Sequence, residues 1–77
     1  MNIAERITID PAICNGKPTI RGKRITVQTV LEFLASGDSI EDILGQYPTL
    51  ERDDIYACLS FASSALDNSF IFEPIPA

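Results

Sequence analysis

Between residues 27 and 66, apolar side chains recur at helical spacing. Val27, Val30, Leu31 and Leu34 fall at i, i+3, i+4 and i+7, with Phe33 beside the stripe. Thr26 stands ahead of them as an N-cap, and Ser36-Gly37 stops the run, with Gly37 suited to a left-handed C-terminal cap. Ser39-Ile40-Glu41-Asp42 then reads as a capping box, with Asp42 in the acidic role. Ile40, Ile43, Leu44 and Tyr47 form the inward face of this second helix, and Pro48 ends it. The spacing predicts a third helix from about Arg52 to Leu66. Ile55, Leu59, Ala62 and Leu66 make one stripe of it, and Cys58, Phe61 and Ala65 a second. An amphipathic surface helix needs an apolar stripe only about 100° wide. The excess here predicts a central helix or one that meets a partner.

Before residue 27 the periodicity shortens. Arg6-Ile7-Thr8-Ile9 alternates polar and apolar until Asp10-Pro11, as a short strand stopped by a turn does. Residues 10–18 read as loop, Thr19-Ile20-Arg21 as a second short strand, and Gly22-Lys23 as a turn. After the third helix, Pro74 and Pro76 disfavour further helix, while Phe70, Ile71, Phe72 and Ile75 are too apolar for a solvated coil. The predicted fold is therefore mainly α: a three-helix, helix-turn-helix bundle with a short N-terminal β hairpin and an extended C-terminal tail. Residues 1–66 form a single small domain (1–26 the β/turn segment, 27–66 the bundle), and residues 67–77 form the tail.

Composition narrows the chemistry. The net charge is −5, yet four of the six basic residues, Lys17, Arg21, Lys23 and Arg24, lie within nine positions. Residues 1–24 carry five bases against two acids, a net of +3; residues 25–77 carry one base against nine acids, a net of −8. Such polarity can attract different partners at the two ends. Histidine is absent and the two cysteines, Cys14 and Cys58, are far apart. That argues for reduced thiols, against a zinc site or a disulfide framework, and against an enzyme, since the commonest general base and metal ligand is missing. No cofactor is implied. No apolar run approaches the roughly 20 residues of a membrane span, and the amino end lacks a secretory pattern, so a cytoplasmic protein is expected.

The Gly16–Lys23 stretch superficially suggests a phosphate loop. Such a loop needs four residues between its glycines and a Ser or Thr after the Lys; here five residues intervene and Arg24 follows. DNA reading by the third helix is equally poorly served. Its leading end offers Glu51, Arg52, Asp53 and Asp54, which suit a helix dipole but repel phosphate. The basic cluster of Lys17, Arg21, Lys23 and Arg24 is instead the candidate nucleic-acid surface, its alternative being a solvated hairpin. The paired acids Glu41-Asp42 and Asp53-Asp54 are read as helix-start charges, because neighbours on a helix face different ways.

Taken together, Ile7-Thr8-Ile9-Asp10-Pro11, Cys14 with Gly16-Lys17-Pro18, Ile20-Arg21-Gly22, Arg24-Ile25, Ala35-Ser36-Gly37, Ile43-Leu44, Tyr47-Pro48, Leu50 and Asp54-Ile55 closely resemble the domain of unknown function 433 family. The resemblance covers residues 7 to about 65. It implies a homeodomain-like three-helix fold with an N-terminal β segment. It also implies an antitoxin role of the VapB type, in which the partner is a PIN-like ribonuclease toxin and the antitoxin's own operator DNA can be a second ligand. It brings no catalytic residues. Two positions depart from the family pattern: Glu51 stands where Thr or Ser commonly caps the third helix, and Lys23 where Thr commonly follows Gly22.

Three functional expectations follow. One is an antitoxin-like binding protein whose Phe70, Ile71, Phe72 and Ile75 engage the toxin. Another is a DNA-binding regulator that grips DNA through the basic cluster. The third is a structural homodimer.

Overall fold

The structure, a computed structural model, describes residues 3–69. A single helical turn, α1 (Ile3–Arg6), leads into β1 (Ile7–Thr8). β2 (Thr19–Ile20) pairs with β1 antiparallel, in the register Ile7 with Ile20 and Thr8 with Thr19. α2 (Val27–Ala35), α3 (Ile40–Gln46) and α4 (Arg52–Ser69) complete the chain as three helices.

The loop between the strands is fixed by local hydrogen bonds. Asp10 Oδ1 accepts from the Ala12 N–H at 2.9 Å, and its carbonyl accepts from Ile13 at 2.9 Å. Cys14, Asn15 and Gly16 follow with φ of 50°, 58° and 80°, a left-handed turn that Asn and Gly tolerate and Cys adopts only under strain. After β2 the chain reverses over Arg21-Gly22. Both have positive φ, 48° and 71°, and Lys23 N–H donates to the Ile20 carbonyl at 2.8 Å. Positive φ at both central residues is the hairpin-turn geometry that matches strand twist. Thr19 bridges Thr26 across it, so α2 starts directly from the hairpin.

Capping explains the helix limits. Thr26 Oγ1 accepts from the Thr29 N–H at 3.0 Å. At the other end of α2, Asp38 N–H reaches the Phe33 carbonyl and Gly37 N–H the Leu34 carbonyl, both at 3.1 Å, with Gly37 at φ 97°. This crossed pair is a Schellman motif. The capping box is present, Ser39 Oγ accepting from Asp42 N–H and Asp42 Oδ2 from Ser39 N–H. Both caps fall where the sequence predicts them.

Ile20, Val27, Val30, Ile43, Leu50, Ile55 and Cys58 form one buried cluster, one or more from each of β2, α2, α3 and α4. Phe33 and Tyr47 lock α2 to the end of α3 edge-to-face, ring centroids 5.9 Å apart. Free Cys58 lies wholly inside, and burial, aided by the negative charge of Asp54, pushes its thiol up to about 12. Cys14 is also a free thiol.

One expectation needs correction. α4 runs to Ser69, so residues 67–69 are helical rather than part of an extended tail; the tail residues 70–77 lie outside the described residues. Of the two apolar stripes of α4, the one with Cys58 and Phe61 faces the core, while Leu59 and Leu66 on the other are 43% and 54% exposed. Leu59 follows the fully buried Cys58 and is turned about 100° from it around the helix, away from the core. Among the described residues, no helix is long and apolar enough to cross a membrane.

Two glycines separate backbone geometry from packing. A Cβ built on Gly37 or Gly45 meets nothing within 4 Å, but only Gly37 has left-handed φ. Gly37→Ala is expected to destabilise by about 1–2 kcal/mol, and Gly45→Ala, inside α3, to stabilise by about 0.5–1 kcal/mol. Urea denaturation of the two variants checks both signs.

Candidate protein-interaction site

Around the start of α4, the chain gathers most of its internal electrostatics. Asp54, the third residue of that helix, has no exposed side-chain surface. Its Oδ2 accepts from the Glu51 N–H at 2.8 Å, the acidic half of a capping box, so Glu51 is capped from within the helix rather than acting as the cap. Arg21 closes on the same carboxylate with two donors, Nε to Oδ1 at 3.1 Å and Nη2 to Oδ2 at 2.8 Å. Arg6 Nη1 adds a bond to Oδ1 at 2.9 Å and one to Glu51 Oε1 at 3.0 Å. A two-pronged guanidinium–carboxylate pair is among the strongest and most directional of side-chain contacts.

Backbone geometry aims these side chains. Arg21 occupies the left-handed turn position, its N–H donates to the Arg6 carbonyl at 2.9 Å, and its Nη2 also reaches the Thr49 carbonyl at 2.9 Å. One arginine thus ties the hairpin to α1, to the α3–α4 turn and to α4. Burial alone would push the Asp54 carboxyl up. The Glu51 N–H and the Arg21 and Arg6 guanidinium groups outweigh it and hold Asp54 below the usual carboxylate value.

The basic cluster is therefore divided. Arg21 is spent inside the fold, while Lys17, Lys23 and Arg24 make no ion pair among the described residues. Arg52, the one base of the acidic half, pairs with Glu41 across the α3–α4 corner. The leading end of α4 presents Glu51 and Asp53, both about three-fifths exposed at the side chain. The candidate anchors Phe70, Ile71, Phe72 and Ile75 lie outside the described residues.

Sequence reasoning missed the role of Asp54, although a signal was available. Asp54, Cys58, Phe61 and Ala65 stand at i, i+4, i+7 and i+11, which places a lone carboxylate on an apolar stripe. A buried carboxylate requires a cationic partner, and Arg6 and Arg21 are the cations on the segment that packs there.

The second half of α4 offers a different surface. Alongside α2, a groove of about 430 Å³ opens between Lys17-Pro18 and the α2 residues Val27, Gln28 and Leu31 on one side and Phe61, Ala62, Ala65 and Leu66 on the other. Lys17 is its one charged lining residue among the described residues. The size falls within the ~300–1,000 Å³ of typical ligand clefts. Small residues of α4 create the room, and Leu66 and Leu59 extend the apolar surface beside it.

The described residues thus form a small helix-turn-helix bundle with an ion-paired hub and an open apolar groove. The protein belongs to the family described as "Protein of unknown function (DUF433)", whose profile matches residues 7–62. The crystal structure of a DUF433 member protein from Anabaena variabilis matches with a TM-score of 0.77 at 28% identity, over 82% of this chain and 62% of that one. "Uncharacterized protein y4eO" of Sinorhizobium fredii is 33% identical over 60 residues, which are 78% of this chain and 27% of that protein. The chain thus spans about a quarter of that relative's length and less than two-thirds of the crystallised one.

The hub sets an acid limit. Because the folded Asp54 carboxyl titrates below its unfolded value of about 3.9, its contribution to stability is complete above about pH 4 and is lost as pH falls through the depressed folded value. Asp54→Asn should cost about 2–3 kcal/mol at pH 7, less than the ~3–5 kcal/mol for a fully buried pair, because Arg6 and Arg21 keep some solvent. Urea midpoints from pH 7 to pH 2 should show the variant losing part of the acid-induced decline.

Proposed function

We propose that this chain is the antitoxin-like member of a bacterial toxin–antitoxin pair, a binding protein that neutralises a PIN-like ribonuclease by protein–protein contact. The observation that carries the reading is the uncovered apolar surface of α4. Exposed contiguous apolar surface on a small domain marks an interaction site. Leu59 and Leu66 stand open on one stripe of the helix, and Leu66 also lines the groove. The charge of the acidic segment supports the same kind of partner. Residues 25–77 carry a net −8, and a ribonuclease presents basic surface to hold RNA, so the approach is electrostatically steered. In this reading Phe70, Ile71, Phe72 and Ile75 add apolar anchors beyond α4, as an extended peptide does in a partner's groove.

A PIN-like ribonuclease encoded beside this chain, co-expressed with it, should co-purify and lose RNA cleavage. Leu59→Asp/Leu66→Asp, a change at exposed positions, should weaken the complex at least tenfold with the helical circular dichroism unchanged. A complex equally tight with the double variant would remove α4 from the interface. No complex at all, with nuclease activity unchanged, would remove the antitoxin reading.

A second reading is favoured by the free cations. Lys17, Lys23 and Arg24 remain available to phosphate, so the same chain can grip operator DNA through the hairpin, with two copies doubling the charge. Fluorescence anisotropy on the upstream duplex should give a steep salt dependence. Its log–log slope should shrink by roughly 1 for each cation replaced by Ala. A slope unchanged in the triple Ala variant would exclude this surface.

A further inference from the structure

We propose that the α4 groove is a cis dock for residues 70–77 of this same chain, which leave it when a partner binds. Only the displacement by a partner rests on the function proposed above; occupancy in the free protein stands on its own. Three observations converge on this occupant.

Reach is the first. α4 ends at Ser69, and the lining residues Leu66, Ala65, Ala62 and Phe61 trace its last turns backwards from that end. From Ser69 to Phe61 the helix spans about 12 Å, whereas eight extended residues span up to about 26 Å. A segment that reverses after Ser69 can therefore run the length of the groove.

Chemical match is the second. The groove wall is apolar apart from its rim, and four of the eight residues of 70–77 are large and apolar. In extended chain Phe70 and Phe72 point to one side, which sets two aromatic rings toward the floor, where Ala62 and Ala65 leave room. Pro74 and Pro76 have a fixed φ that limits the conformations available to the segment, which lowers the entropy cost of docking it.

Charge is the third. Lys17 is the one charged residue among the described residues that line the groove, and Glu73 is the one charged side chain in residues 70–77. Lys17 makes no ion pair among the described residues. With Phe70 and Phe72 turned inward, Glu73 lies on the outward side, within reach of the long lysine side chain at the rim. A second copy of the chain could seat its tail in the same groove, and the experiment separates the two arrangements.

The test uses the full chain without any partner. Hydrogen exchange at the groove amides and Nile red fluorescence are followed for wild type, Phe72→Ala, Lys17→Glu, Glu73→Lys and the charge swap Lys17→Glu/Glu73→Lys. Phe72→Ala and each single charge change should raise dye fluorescence and groove exchange severalfold, and the swap should return both toward wild type. These effects should be independent of protein concentration. Unchanged readings in Phe72→Ala, or a swap that does not restore protection, would overturn the proposal. Restoration that appears only at high concentration would also overturn it, in favour of a tail seated in a second copy. None of these results depends on toxin binding, so a failure here leaves the partner reading intact, and the converse holds.

Discussion

Asp54 is the point on which the N-terminal segment and the helices agree. A carboxylate removed from water is costly unless it is fully hydrogen-bonded and paired. Here that condition recruits four elements at once: Arg6 from the end of α1, Arg21 from the hairpin turn, the Glu51 N–H at the head of α4, and through Arg21 the Thr49 carbonyl. No apolar contact would impose the same orientation, because the hydrophobic effect is non-directional. The two-stranded hairpin is too small to be stable alone. Packing of Ile20 gives it affinity for the bundle, and the Arg21–Asp54 pair sets the angle at which it sits.

That constraint explains an otherwise odd backbone. Arg21 holds a left-handed conformation that ordinarily favours glycine. The following Gly22 shares the turn at no such cost. A glycine at 21 would relieve the strain and lose the side chain that links the hairpin, the α3–α4 turn and α4. Local strain is accepted where the tertiary hydrogen bonds over-determine the geometry.

The helices were largely legible in the sequence, for reasons that are local. Thr26, Ser39, Asp42 and Gly37 act within one turn of themselves, so their roles follow from their neighbours. The ion-pair hub was harder to see because its members lie 33 and 48 positions apart, and charge alone does not distinguish a solvated arginine from a committed one. Arg21 was therefore grouped with Lys17, Lys23 and Arg24, though the structure separates it from them. The exposure of Leu59 and Leu66 was hidden for another reason. Periodicity shows that α4 carries two apolar stripes; it does not tell which of them the neighbouring helices cover.

These two features divide the molecule's work. The hub consumes the cations nearest α4 and leaves the leading end of that helix acidic, which is the reverse of what phosphate contact asks of a recognition helix. A helix-turn-helix arrangement does not by itself make a DNA reader, because function belongs to sites placed on a fold and not to the fold itself. What remains available is spatially sorted. Among the described residues, Lys23 and Arg24 sit by the hairpin turn, Leu59 and Leu66 are exposed on α4, and Lys17 lines the groove. Because the hub joins the hairpin to the head of α4 through Arg6 and Arg21, both surfaces are carried on one frame.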